Sequence, residues 1–202
     1  MDITGIILAG GKSSRLGYPK YEVILNGKNL LEIAISKLQT ICQQIIVVSK
    51  DSEIATLPTV ARNDAVSSVI EQSKEFHPLI GITEGLKSSS NEANIILACD
   101  MPFVRPETLA ALIDCPAEIC LYRYKGRAEP LLGFYKKSCL TKIEHESRGT
   151  SREARLIDIL SKCNLEYIDI ADECPDFLNI NTEEDLIDAE KRVRSDPKLL
   201  GN

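Results

Sequence analysis

Two histidines, His77 and His145, are all that this 202-residue chain contains, and its seven cysteines form no CxxC pair. Without Cys/His pairing at ligand spacing, no structural zinc site is expected. The cysteine count is odd and thiols such as Cys99 sit in apolar runs, so reduced, buried cysteines are expected rather than a disulfide framework. Basic charge is also short. A formal net charge of −6 argues against a nucleic-acid or membrane-surface footprint, which needs a basic face. A small anionic substrate stays open, because a few basic groups suffice to line one cleft. No apolar run approaches the ~20 residues of a membrane span. Asp2 and the early Gly10-Gly11 do not fit a secretory signal, so a cytoplasmic protein is expected. No Ser/His/Asp arrangement for nucleophilic catalysis can be picked out either.

What is present is an ordinary balance for one core, 44% hydrophobic and 27% charged. Short apolar runs alternate with amphipathic stretches. Residues 4–9 (TGIILA), 44–50 (QIIVVSK) and 94–100 (NIILACD) read as strands. Residues 30–42, 79–87 and 105–114 read as helices, the last opened by Pro106. In the second half, 118–124 and 130–136 read as strands near the sheet edge, and 152–163 and 182–193 as helices, with Thr182 as a cap. This order predicts a single-domain, three-layer α/β/α protein with a mostly parallel, Rossmann-like sheet. The domain is expected over 1–193, with a polar, frayed tail over 194–202. Ligands of such sheets gather outside the carboxyl ends of the strands. That places Gly10-Gly11, Ser49 and Asp100 along one rim.

The loop after the first strand, GGKSSRLGYPK, carries Lys12, Arg15 and Lys20. It is not a P-loop, which would put its first glycine where Ile6 stands, and it is not G-x-G-x-x-G. Gly10 and Gly11 let backbone amides approach a ligand without a Cβ in the way, and aligned amides make an anion-binding concavity. Arg15 can fork two phosphate oxygens and Lys20 can act as a mobile point charge, with Gly17 permitting a bend between them. A solvated surface turn is the alternative. Asp100 ends an apolar strand at the rim and suits a Mg²⁺ ligand, since that ion takes one or two protein carboxylates; a cap for the following helix is the other reading. Asn179 and Asn181 alternate, so on an extended segment both point the same way, unless they merely form the turn before the last helix.

Taken together, LAGGKSSRLGYPK (8–20), HPLIGITEGL (77–86), LACDMPF (97–103), EPLLGFY (129–135) and FLNINTEEDL (177–186) resemble, in order and over nearly the whole chain, the molybdenum cofactor guanylyltransferases within the wider nucleotidyltransferases. The resemblance implies the nucleotide-diphospho-sugar transferase type of fold and transfer of GMP from GTP to molybdopterin with release of pyrophosphate. It implies Arg15, Lys20 and Asp100 as catalytic residues and Mg²⁺ held by Asp100. Nucleotide contacts are implied at Leu8, Ala9, Gly10, Gly11, Lys20, Ser49, Asp64 and Asp100, with backbone of Leu8 to Gly10 reading guanine. Asn179 and Asn181 would place the second substrate, and Arg123, Arg127 and Arg148 offer charge for a phosphorylated pterin. Enzymes that receive or build the cofactor are the partners it implies. Two positions depart from the pattern. Pro19 stands where Asp is common, and His77 where Gly is expected. A cytidylyl- or sugar-phosphate nucleotidyltransferase, or a GTP-binding protein without turnover, would share much of this pattern.

Overall fold

The structure is a computed structural model that describes residues 1–10, 16–61, 63–73, 77–149, 156–170 and 173–200. In chain order it runs through β1 (Ile3–Leu8), the hairpin β2 (Ile24–Leu25) and β3 (Lys28–Asn29), α1 (Leu30–Leu38), β4 (Gln44–Ser49), α2 (Pro58–Ala61), β5 (Val66–Ile70) and α3 (Pro78–Ser88). There follow β6 (Ala93–Ala98), α4 (Pro106–Ala111), β7 (Ile119–Tyr124), β8 (Arg127–Lys136), α5 (Leu140–Gly149), α6 (Leu156–Leu160), β9 (Leu165–Ile170) and α7 (Glu183–Ser195). Seven strands form one sheet in the order β5-β4-β1-β6-β8-β7-β9. All its pairings are parallel except those of β8, which runs against both β6 and β7.

Strand alternation sorts the apolar residues onto two faces. Ile7, Val47 and Leu97 meet Leu31, Ile35 and Leu38 of α1 and Leu109 of α4. Ile6, Val48 and Ile96 meet Leu79, Ile82 and Leu86 of α3, with α5 and α6 further along the same face. A third cluster joins the small hairpin to α1 and α7 through Val23, Leu25, Leu30, Ile33, Ala189 and Val193. The result is the three-layer α/β/α protein that the pattern of runs predicts.

Gly85 sets how closely α3 lies on the sheet. A Cβ there would come within 2.4 Å of Ile6 Cγ2, so only glycine lets the helix reach β1. Gly85→Ala is expected to lower stability by about 1–3 kcal/mol, the usual cost of overpacking a core. Chemical denaturation measures it, and a variant as stable as the parent would mean that the contact relaxes freely.

Several boundaries differ from the sequence reading. α1 stops at Leu38 although the apolar pattern continues to Cys42. The Cys42 amide donates back to Leu38 O at 2.8 Å and that of Gln43 to Ile3 O at 3.1 Å, which turns the chain into β4. β8 is interior rather than near the edge, since β7 and β9 lie beyond it. α4 covers only 106–111 of the expected 105–114. Of the expected helix 152–163, 152–155 lie outside the described residues, 156–160 form α6, and 161–163 turn into β9. α7 runs two residues beyond 193, and the expected frayed tail contains a 3-10 turn, Pro197–Leu200, whose Leu199 and Leu200 pack on the third cluster. All seven cysteines are free thiols. Among the described residues, no helix is long and apolar enough to cross a membrane.

Candidate active site

Strand β1 is continued on one side by β4 and β5 and on the other by β6. The crevice at the carboxyl ends of β1 and β6 is therefore the switch point at which open α/β sheets bind ligands. A cavity of about 380 Å³ lies there, on the α3 face, and extends from Lys20 and Asp100 to Glu71 and His77. It spans the ends of β6, β1, β4 and β5, so at ~4.8 Å per strand it is roughly 14 Å long, suited to an extended nucleotide.

Lys20 opens a 3-10 turn, Lys20–Glu22, directly after Pro19 at φ −58°. Proline's fixed φ suits that entry. The turn is anchored by the buried Tyr21, whose hydroxyl donates to Asp51 Oδ2 beyond β4. Burial, and then Asp51, push the Tyr21 phenol well above its usual range. The Lys20 ammonium donates to Asp100 Oδ2 and to Asn181 Oδ1, each at 2.5 Å. Asn181 reaches it because the Ile180 amide donates to Asp100 O at 2.9 Å, which seats this segment beside β6.

The other oxygen of Asp100, Oδ1, is buried and has no hydrogen-bond partner among the described residues. An unsatisfied buried carboxylate oxygen is costly, so the site asks for a cation or a donor. Asp100 does not cap the next helix. Arg105 holds that position in α4, without a side-chain cap bond. Asp185 and Thr182 form the capping box of α7, with Thr182 the cap that the sequence indicates. Burial alone would raise the Asp185 carboxyl, but hydrogen bonds from the Asn181 and Thr182 amides and the Thr182 hydroxyl outweigh it and hold it low.

The expected site residues fare unequally. Leu8, Gly10, Lys20 and Asp100 all line the cavity, and Asn181 joins them through Lys20. Among the described residues, a Cβ on Gly10 would meet nothing within 4 Å. Asn179 shares the segment with Asn181 but does not share its bond to Lys20. Ala9 and Leu8 are tied into the sheet, Ala9 N donating to Val48 O and Cys99 N to Leu8 O at 2.9 and 3.2 Å. Those two groups are engaged in the sheet. Ser49 is buried, and its hydroxyl accepts from the Asp51 amide at 3.0 Å. It alternates away from the cavity, which takes Val48 and Lys50 instead. Asp64 precedes β5 and sits at the opposite edge of the parallel sheet. Gly11 and Arg15 lie outside the described residues, as do Lys12 and the side chain of Arg148. Arg123 lies over the Tyr167 ring at 4.2 Å and faces Asp169 at 3.4 Å.

Among the cavity residues that escaped the sequence reading as ligand groups are two charged ones, Lys50 and Glu71. Lys50 and Glu71 follow directly on β4 and β5, as Asp100 follows β6, and their side chains meet at 2.8 Å. Recognising β5 would have exposed Glu71. Close by on β8, Glu129 has its carboxyl raised by burial, with Arg127 opposing and the Asp100 charge adding. The thiol of Cys99, beside Asp100, is pushed far up by burial, so it is a poor nucleophile.

A parallel α/β sheet with a lysine and a carboxylate at its switch point, above a cavity of nucleotide length, defines a nucleotidyltransferase. The chain belongs to the family with the MobA-like NTP transferase domain, whose model matches residues 5–164. It is 32% identical over 197 residues to a probable molybdenum cofactor guanylyltransferase of Geobacillus sp., covering 92% of this chain and 97% of the relative. A relative of the same description from Natranaerobius thermophilus is 32% identical over 200 residues, covering 94% and 96%. Among solved structures, the molybdopterin-guanine dinucleotide biosynthesis protein A of Archaeoglobus fulgidus superposes with a TM-score of 0.78 at 27% identity, covering 95% of this chain and 99% of that one. A nucleotidyl transferase from Methanothermobacter shares the fold, with a TM-score of 0.76 at 17% identity over 96% and 99% of the two chains.

Proposed function

We propose that the protein transfers GMP from GTP to molybdopterin, forming the guanine dinucleotide cofactor and releasing pyrophosphate. The observation that carries this reading is the Lys20–Asp100–Asn181 constellation at the β1/β6 switch point, at one end of a nucleotide-length cavity. The triphosphate belongs at that end and the nucleoside at the end formed by Lys50, Glu71 and His77. There, Lys50 and Glu71 offer a paired ammonium and carboxylate. Guanine presents adjacent N1–H and 2-amino donors beside the O6 acceptor, which fits a carboxylate next to an ammonium. Adenine has an acceptor at N1 and a donor at C6, and would leave buried polar groups unpaired.

In the reaction, an oxygen of the molybdopterin phosphate monoester bonds to the α-phosphorus of GTP. The bond from that phosphorus to the oxygen bridging to the β-phosphate breaks, and pyrophosphate carries away the electron pair. The nucleophile is already anionic, so no strong general base is needed. Catalysis then rests on positioning and on neutralising charge. Lys20 opposes the charge of the phosphates. Asn181 orients Lys20 and can turn its amide to the incoming phosphate. The orphaned Oδ1 of Asp100 suits Mg²⁺, which favours few protein oxygens. When bound, that ion would screen charge at the phosphates. The free thiols are in keeping with work in the cytoplasm, where proteins that make or receive the cofactor would be its partners.

A melting panel with ATP, CTP, GTP and UTP plus Mg²⁺ tests the nucleotide. GTP near a hundred times its Kd is expected to raise Tm by about 5–10 °C, and the others by less. A larger shift with CTP would move the protein to the cytidylyltransferases. Pyrophosphate release that requires both GTP and molybdopterin establishes the reaction, and GTP binding without it would leave a non-catalytic binder.

A further inference from the structure

We infer that His77 is a specificity residue that donates a hydrogen bond from Nε2 to the guanosine half of the nucleotide. The inference rests on the GTP reading given above and adds to it a contact that the family's glycine could not make. His77 occupies the N-cap of α3 at φ −130°, ψ 126°, and its Nδ1 accepts from the Leu79 amide at 3.2 Å. An acceptor nitrogen carries no proton, so in the neutral ring the proton sits on Nε2. The cap thus fixes the tautomer and leaves a donor on the opposite edge of the ring. Among the described residues, no group accepts from that donor.

His77 lines the cavity together with Pro78 and Gly81 of the first turn of α3. A Cβ on Gly81 would lie 3.8 Å from Glu71 Oε2 and 3.2 Å from Leu8 Cδ2. His77 therefore stands at the Glu71 end, away from the phosphate-binding Lys20. The acceptor there is a ribose hydroxyl or a base atom, which are one chemistry to an imidazole N–H. Glu71 supplies acceptor oxygens at this end and Lys50 is held by Glu71 and by Ser73 O, so His77 contributes a donor that is not already engaged by a carboxylate.

Cap and ligand contact can be separated by two substitutions. His77→Ala removes both. His77→Ser keeps a good N-cap side chain but removes the ring. Calorimetric titrations of each variant and the parent would use GMP, GTP with Mg²⁺, and pyrophosphate with Mg²⁺. Both variants are expected to bind GMP and GTP about 3–10-fold more weakly, the usual worth of one neutral hydrogen bond. Pyrophosphate binding should be unchanged, and His77→Ser should keep the parental Tm. The same titration with 2′-deoxy-GTP locates the acceptor. A vanished difference between parent and variant assigns the ribose 2′-hydroxyl, and a retained one places the acceptor on the 3′-hydroxyl or the base. Parental affinity in His77→Ser would reduce His77 to a helix cap and overturn the inference, as would a loss that appears with pyrophosphate. If the parent binds no guanine nucleotide, the proposed function falls and takes this contact with it. If the parent binds GTP but neither substitution weakens it, only this contact falls.

Discussion

Lys20→Ala is expected to lower the rate of GMP transfer by about 10²–10³-fold, the cost of deleting one preorganised charge partner at a developing anion, while the fold survives. The fold should survive because the 3-10 turn that carries Lys20 is held by other residues. Pro19 sets its entry and the buried Tyr21 fastens it to Asp51. The loss is read in steady-state pyrophosphate release, with far-ultraviolet circular dichroism and Tm as controls. Lys20→Arg is the informative companion. It keeps the charge but spreads it over a planar fork, which cannot take the same place between Asp100 Oδ2 and Asn181 Oδ1, both only 2.5 Å from the ammonium. Incomplete recovery by arginine would tie the effect to position and not to net charge. Near-parental turnover of Lys20→Ala would remove the residue from the mechanism.

How much of this was legible in the sequence follows from burial. The strands found from apolar runs, β1, β4 and β6, are the middle of the sheet, covered on both faces, and so read as nearly unbroken hydrophobic stretches. Of the seven strands of the main sheet, the two that the apolar runs do not show, β5 (VSSVI) and β9 (LEYIDI), are its outer strands. Their half-solvated faces carry Ser, Glu and Asp, and no clean alternation survives. The cost fell on the site. Asp64, implied by the resemblance, precedes β5 and lies at the opposite edge of the sheet from the cavity, while Glu71, directly after β5, lines it. Ser49 lies outside the cavity lining for a subtler reason. A strand's carboxyl end places a residue at the rim, but the pleat decides which face it meets, and here Val48 and Lys50 take the cavity side. Lys20, Asp100 and Asn181 were legible because each belongs to a motif of several residues. Their meeting was not, since it depends on the backbone bond from Ile180 to Asp100, across 80 positions of chain.

Asp100→Ala should abolish the dependence of turnover on Mg²⁺ and reduce transfer by at least about 10²-fold, as expected when a group that opposes or anchors charge at the reacting phosphates is lost. The buried Oδ1, without a partner among the described residues, carries the argument. A buried carboxylate oxygen lacking a partner costs about 1–3 kcal/mol, which makes sense where a ligand restores the balance. The same feature predicts an asymmetry between activity and stability. Removing Asp100 discards that penalty together with its bond to Lys20, and the Asn181 contact to the ammonium remains. Tm should therefore move by only a few degrees, at roughly 2–4 °C per kcal/mol for a chain of this size, while turnover collapses. Asp100→Asn separates charge from shape, since the amide fits the space but has lost the negative charge that draws a cation. Titrating Mg²⁺ into turnover assays of both variants decides the point. A preserved metal response in either one would assign the cation to other residues, and a large fall in Tm would mean that Asp100 is chiefly a structural tie between β6 and the segment preceding α7.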